Sequence, residues 1–406
     1  MRKSLGERAD VAVVGGGVAG LAAARELARR GLSVAVVEDS RAGSASRAAA
    51  GMLAPQAEAD SRDELFELLC ASREMYAAFA AALGEESGID VELERTGTLY
   101  LALSREDEEE IERRFAWQSR AGLEVERLTA AETLALEPNV SPRVRSALRF
   151  PRDWQVENRQ LLRALRASAE GYGAAFLEGF EAYGVHVTSD GRAAGVEGSQ
   201  TLRADSVVIA AGAWNSRLRK IFTPAGSRKA EEAVLADDPR VEPVRGQILC
   251  YRQPDAEKPL FRHVIYGPRG YVVPRRGGRL LAGSTTEPGL YDSRVTEEGA
   301  RSVAAHAAEL APAVAMLEVA DSWAGLRPRA ADGMPVLGES ADVQRLFYAT
   351  GFYRNGILLA PAAGEIVADL VTNRATRLGP RVLEAFSPAR FQQMPAVAGG
   401  VLNFEE

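Results

Sequence analysis

Asp10–Asp39, DVAVVGGGVAGLAAARELARRGLSVAVVED, reads as strand, glycine turn, helix, second strand and terminal acid. Val11 to Val14 form a continuous apolar run, the pattern of a parallel strand covered on both faces. The chain then breaks at Gly15, Gly16 and Gly17. In the pattern G-x-G-x-x-G, Gly15 makes a tight turn, Gly17 lets the backbone approach a pyrophosphate, and Gly20 seats the helix against the strand. Unsatisfied N–H groups at the helix start, with the positive end of its dipole, hold a dianionic bridge without a basic side chain. Leu21, Ala24 and Leu27 follow at helical spacing, Gly31 ends the helix, and Val34, Val36 and Val37 lead to Glu38. A carboxylate at that strand end accepts from ribose 2′- and 3′-hydroxyls and repels a 2′-phosphate. The stretch is a dinucleotide-binding unit, and the preceding strand, following helix and spaced acid are the context that the glycine pattern requires.

The rest of the 406 residues is ordinary for a globular protein, 46% hydrophobic and 26% charged, enough for two domains. A net charge of −7 and the absence of a dense Lys/Arg run argue against nucleic acid or an anionic membrane as principal partner, leaving a small molecule. Cys70 and Cys250 have no disulfide or zinc spacing, so no metal is expected. The polar start MRKSLGERAD leaves no room for a signal peptide, and no run approaches the roughly 18 apolar residues of a membrane span, so the cytoplasm is expected. A homo-oligomer is compatible with all of this.

After Glu38, the small-residue run Ala48-Ala49-Ala50-Gly51-Met52 leaves the end of the second strand, where a nucleotide must continue, and lets a flat ligand lie on the backbone. Asp63 to Leu83 is expected as an amphipathic helix, Ser104 as the N-cap of a charged helix, and Thr129 with Glu132 as a capping box. Asp205 to Ala210 is a second buried-strand run, ending in the small residues Ala211-Gly212-Ala213. Residues 222–240 read as a surface insertion, Val241 to Leu290 as antiparallel strands, Leu346 to Thr350 as a further buried strand, and Ile357 to Asn373 as a last helix.

Two arginines stand outside charged helix faces: Arg327 in WAGLRPRAADGMPVLG and Arg354 in ATGFYRNGILLAP. A guanidinium keeps its proton, so a buried one needs an anion, and its planar fork matches a carboxylate. The Arg354-Asn355-Gly356 run before the last helix adds the N–H groups and positive potential of a helix start. Only one G-x-G-x-x-G occurs, so no second nucleotide domain brings a nicotinamide, and the reductant is the substrate. His186, His263 and His306 are scattered, and no Ser/His/Asp constellation argues for hydrolysis.

These motifs together resemble the FAD-dependent glycine oxidases of thiamin biosynthesis, within the D-amino acid oxidase and sarcosine oxidase group. The resemblance runs through VVGGGVAGLAAARELARRG, AAAGMLAPQAE, Val156-Glu157-Asn158, WAGLRPRAADGMPVLG and FYRNGILLAPAAGEIVADL. It implies non-covalent FAD, glycine or another small amino acid (sarcosine, a small D-amino acid) oxidised to its imine, and molecular oxygen as acceptor, the alternative being a D-amino acid or sarcosine dehydrogenase of the same fold with another acceptor. Within it, Arg327 looks like the grip on the substrate carboxylate, Tyr271 like the ring beside it, and Arg354 like a supporting arginine. FAD would touch Val18, Ala19, Glu38, Asp39, Ala45, Ser46, Ala50, Gly51 and Met52, with Ala182 at adenine. Phe352, Tyr353, Arg354, Asn355, Gly356, Ile357 and Leu358 would line the flavin. Phe352 stands where such proteins often have histidine, and Arg269 and Thr286 fall at expected pocket positions. The expected fold is an α/β unit in an α+β whole: a Rossmann-like FAD-binding domain from 1–90, 150–230 and 318–390, an antiparallel-sheet substrate domain from 91–149 and 241–317, and a tail at 391–406.

Overall fold

Residues 8–39, 41–218, 220–222 and 235–393 are described by a computed structural model. Most of the expected insertion, residues 223–234, and most of the expected tail, from 394 onward, lie outside these described residues.

The quoted stretch folds as β1 (Arg8–Val14), α1 (Val18–Arg29) and β2 (Val34–Glu38), with β1 and β2 parallel from Val11↔Val34 to Val14↔Val37. On the other side of β1 lies β3 (Thr201–Ile209), also parallel, and beyond β2 lies Ala175–Glu178. The long strand β3 serves two neighbours. Its end, Val207–Ile209, runs parallel to Leu346–Tyr348, while its start pairs antiparallel with Ala193–Gly198. The apolar runs of β1 and β2 are buried on both faces because cores form above and below the sheet. One packs Val11, Val13 and Leu27 with Leu161, Leu165, Leu359 and Val367 from helices Asn158–Gly171 and Gly356–Val371. The other packs Ala12, Val14 and Val37 with Val185, Val196 and Tyr348.

The second sheet is built on β4 (Glu242–Arg252), which continues through Arg279–Gly283, β5 (Gly270–Arg275), Val264–Gly267 and Thr98–Ala102. It is antiparallel except where Val264–Tyr266 runs parallel to Thr98–Tyr100. Those two segments are remote in the chain, so no hairpin sets their direction. Helix Glu297–Leu310, capped by Thr296, covers this sheet through Val303, Ala307 and Leu310. Ser104 caps its helix and Thr129 forms the expected capping box with Glu132; Ser104 forms a capping box too, with Asp107.

One strand departs from its expected place. β6 (Glu318–Arg329) runs antiparallel to β4 from Glu242↔Arg329 to Arg252↔Glu318, so by hydrogen bonding it belongs to the second sheet, although the boundary expected at 318 puts it with the cofactor segments. It also returns to the first body, where Leu326 N–H donates to the Gly43 carbonyl at 2.9 Å and Trp323 Nε1 to the Ala48 carbonyl at 2.9 Å. Among the described residues no helix is long and apolar enough to cross a membrane.

Candidate active site

A cleft of about 1030 Å³ runs between the sheets, from Glu38 and Asp39 at one end to Tyr271, Arg327 and Arg354 at the other. That volume stands at the top of the usual 300–1,000 Å³ range for small-ligand pockets, so a dinucleotide and a small substrate fit together.

The glycine turn closes one wall. Gly15 has φ +116°, and a Cβ there would lie 2.4 Å from the Ala210 carbonyl oxygen. A Cβ on Gly20 would lie 1.9 Å from the Gly15 carbonyl oxygen, so Gly20 sits behind the turn and lets α1 touch it. A Cβ on Gly17 would meet only the Ser46 hydroxyl, at 3.3 Å, so this backbone faces open space. Val18 N–H donates to Ser46 Oγ at 3.0 Å, and Val18 and Ala19 line the cleft at the positive end of α1. Glu38 binds Arg166 Nη1 at 2.6 Å through one carboxylate oxygen, and its other oxygen lies over Gly16. Asp39 pairs with Arg41, and Ala182 and Gly212 complete this end.

In the middle, Ala45, Ser46, Ala50, Gly51 and Met52 line the cleft. Their support comes from a residue the sequence reading passed over. Arg275, at the end of β5, is buried and donates to the Ala50 carbonyl and, at 3.0 Å, to Gln155 Oε1. Burial pulls its guanidinium down to about 10. A Cβ on Gly51 would lie 2.1 Å from the Val156 carbonyl and 2.7 Å from Arg275 Nη2, so this contact requires glycine. Opposite, Phe352 to Leu358 line the cleft, and Asn355 caps helix Gly356–Val371 without a side-chain bond, so the first-turn N–H groups beside the cleft have no side-chain cap. Tyr353 has φ +46°, a conformation costing a non-glycine residue about 1 kcal/mol, and its N–H is held by the Pro328 carbonyl at 2.8 Å.

The two arginines differ. Arg354 Nη2 lies 3.6 Å from Glu58 Oε1 and donates to the Tyr266 hydroxyl at 3.0 Å. The Glu58 carboxylate raises its pKa, so the charge is already answered. Arg327 donates Nη1 to the Thr285 carbonyl at 3.1 Å and Nη2 to Ser284 Oγ at 2.7 Å. Among the described residues no carboxylate lies within 4 Å of it. Burial lowers its pKa, and the residue lines the cleft. A guanidinium placed in this way has the donors to accept a ligand carboxylate. Tyr271 is buried beside it, with its ring stacked 6.2 Å from Tyr266.

Glu58, Tyr266, Ser284 and Gly246 complete the arginine end, and none was singled out from sequence. Glu58 lay inside the motif AAAGMLAPQAE, which was the available signal. A Cβ on Gly246 would lie 2.1 Å from Arg327 Nη2. Gly246→Ala is therefore expected to push the guanidinium aside and raise the substrate KM about tenfold to a hundredfold, leaving flavin content unchanged; steady-state kinetics with flavin absorbance checks this.

Two expectations fail. Arg269 is exposed and pairs with Glu309, because the turn between Val264–Gly267 and β5 points to solvent, and Thr286 is exposed after strand Arg279–Gly283; neither lines the cleft. The histidines lie outside it too, with His186 on Glu197 and His263 on Glu137. Among the described residues no group of acids, histidines and cysteines is arranged to hold a metal.

A dinucleotide turn, an acid at the next strand end and an arginine without a carboxylate partner, across one cleft between two sheets, fit a flavin oxidoreductase, and the glycine cradle and open helix ends fit FAD. The family model described as FAD dependent oxidoreductase matches residues 10–370, and the chain belongs to that family, with FAD as its cofactor. It is 38% identical to the glycine oxidase of Geobacillus kaustophilus (strain HTA426), covering 91% of this chain and 94% of that protein. The crystal structure of glycine oxidase from Geobacillus kaustophilus superposes with TM-score 0.84 at 37% identity, over 94% of this chain and 99% of that one. A protein of Synechocystis sp. (strain ATCC 27184 / PCC 6803 / Kazusa) named Bifunctional protein ThiO/ThiG is 32% identical over 94% of this chain and 54% of its own length.

Proposed function

We propose that this enzyme oxidises glycine or another small amino acid to its imine, which water converts to the oxo acid and ammonia. The observation that carries this is Arg327, a half-buried guanidinium held by neutral groups on the wall of the cleft. It takes the substrate carboxylate in two parallel hydrogen bonds, which fixes the α-carbon. Tyr271 walls the small space beside it, backed by the Tyr266 ring. Arg354, neutralised by Glu58, adds no net charge, so the local field selects one carboxylate. FAD, when bound, supplies the two-electron acceptor. Its ribose hydroxyls are assigned to Glu38, its diphosphate to the N–H groups of Val18 and Ala19, and its ring system to the walls formed by Ala50–Met52 and Phe352–Leu358.

Oxygen is the proposed final acceptor, so one glycine, one oxygen and one water yield glyoxylate, ammonia and hydrogen peroxide. The kinship with glycine oxidases, and with a protein named for ThiO and ThiG, supports a role in supplying glycine imine for thiazole synthesis in the thiamin pathway. The purified, FAD-loaded protein is expected to produce peroxide with glycine, sarcosine or D-alanine. Silence with all three would overturn the oxidase reading, and slow reoxidation in stopped flow would replace oxygen by another acceptor.

A further inference from the structure

Residues Pro55–Glu58 form a single helical turn that ends in the partner of Arg354. Buried polar side chains from three other parts of the chain hold it. Asp153 is fully buried and accepts the Ala57 N–H at 2.8 Å and the Gln56 N–H at 3.4 Å. Arg73, in helix Glu64–Ser87, donates Nη1 to Gln56 Oε1 at 2.8 Å and to Asp153 Oδ1 at 3.1 Å. From helix Arg105–Arg120, Gln118 donates to the Gln56 carbonyl at 2.9 Å, and Arg114 donates to the carbonyls of Ala57 at 3.0 Å and Ala59 at 2.7 Å.

Stability alone does not account for these groups. Arg73 Nε is buried without a hydrogen-bond partner, and burial pushes the Asp153 carboxyl up to about 7 against the pull of Arg73. Replacing a buried ion pair by apolar residues of similar volume is often neutral or stabilising. What the network supplies is placement. It fixes both ends of the turn, and so the distance from Glu58 to Arg354.

We propose that Asp153 and Arg73 are positioning residues for substrate binding: they lock the turn Pro55–Glu58 so that Glu58 holds Arg354 off the Arg327 receptor. The inference rests on the reading of Arg327 and Arg354 given above. Without the lock, Glu58 recedes, and an unneutralised Arg354 competes for the ligand carboxylate and moves it off Arg327.

The test uses FAD-loaded protein and two readouts: glycolate binding, followed by the flavin spectrum, and glycine turnover. Asp153→Asn turns an amide N–H towards the Ala57 N–H and releases the turn. It is expected to raise the glycolate Kd and the glycine KM about tenfold, with kcat and flavin content changed less than about twofold. In a Glu58→Gln background the same change should add less than about twofold, because both act through one contact. Penalties that multiply, or an Asp153→Asn protein that binds glycolate unchanged, would overturn the proposal. Should Asp153→Asn not fold, Arg73→Lys, which keeps the charge and loses the fork, carries the same cycle. Glycolate binding is read without turnover, so an enzyme that oxidises no amine would defeat the proposed function while this inference is still decided by the cycle.

Discussion

Arg327→Ala is expected to raise the amino acid KM by two to three orders of magnitude and to leave FAD affinity within about twofold. Removing one partner of a desolvated charge pair costs about 2–5 kcal/mol, much of it from the carboxylate left alone. Here the loss falls wholly on the ligand, because Arg327 is held by Thr285 and Ser284 and answers no protein carboxylate among the described residues. Arg327→Lys should recover only part of the effect, since a point charge cannot give two parallel hydrogen bonds. Steady-state kinetics beside a flavin titration separates the two affinities. Equal losses in both would make Arg327 a structural residue.

Gly20→Ala is expected to show the opposite partition. The new methyl group would stand 1.9 Å from the Gly15 carbonyl oxygen, a backbone atom in a turn that is itself pressed against Ala210. Neither can yield, so α1 must shift away from β1. Overpacking of this kind costs about 1–3 kcal/mol in stability. The shift also moves the N–H groups of Val18 and Ala19, so FAD affinity should fall at least about tenfold. Protein reconstituted with excess FAD should then keep a near-normal KM. Thermal unfolding, flavin release and kinetics of the reconstituted enzyme test the three parts, and an unchanged FAD affinity would detach the glycine turn from cofactor binding.

The contrast between these substitutions shows which parts of the molecule were legible in its sequence. The turn was legible because its requirements are local: a glycine where φ is positive, another where a helix meets a strand, and an acid at the next strand end. The N-cap at Ser104 and the capping box at Thr129 were legible for the same reason. β6 was harder. Its first half, Glu318 to Ser322, is polar and exposed, so it shows no strand periodicity, and only pairing with the remote β4 reveals its sheet. The strands Ala182–Val187 and Ala193–Gly198 were hidden by their glycines, which close approaches require: a Cβ on Gly195 would lie 2.2 Å from the Leu202 carbonyl. Arg327 and Arg354 were both found, yet their difference was not, because it depends on Glu58, which comes from another part of the chain. Arg275 reads as one more basic residue in PRRGGR until the fold brings it under Ala50.

β6 bears on how such a protein can diverge. The same strand carries Arg327 and is tied by hydrogen bonds to Gly43 and Ala48 on the cofactor side, while its Pro328 carbonyl holds Tyr353 on the opposite wall. The proposed ligand grip and both proposed cofactor walls are thus registered on one ribbon, with side chains projecting from other strands left to shape the remaining space. Mutation can enlarge, polarise or narrow that space without altering the span between grip and cofactor. New substrates are accessible to this scaffold by repainting the chamber while its gauge stays constant.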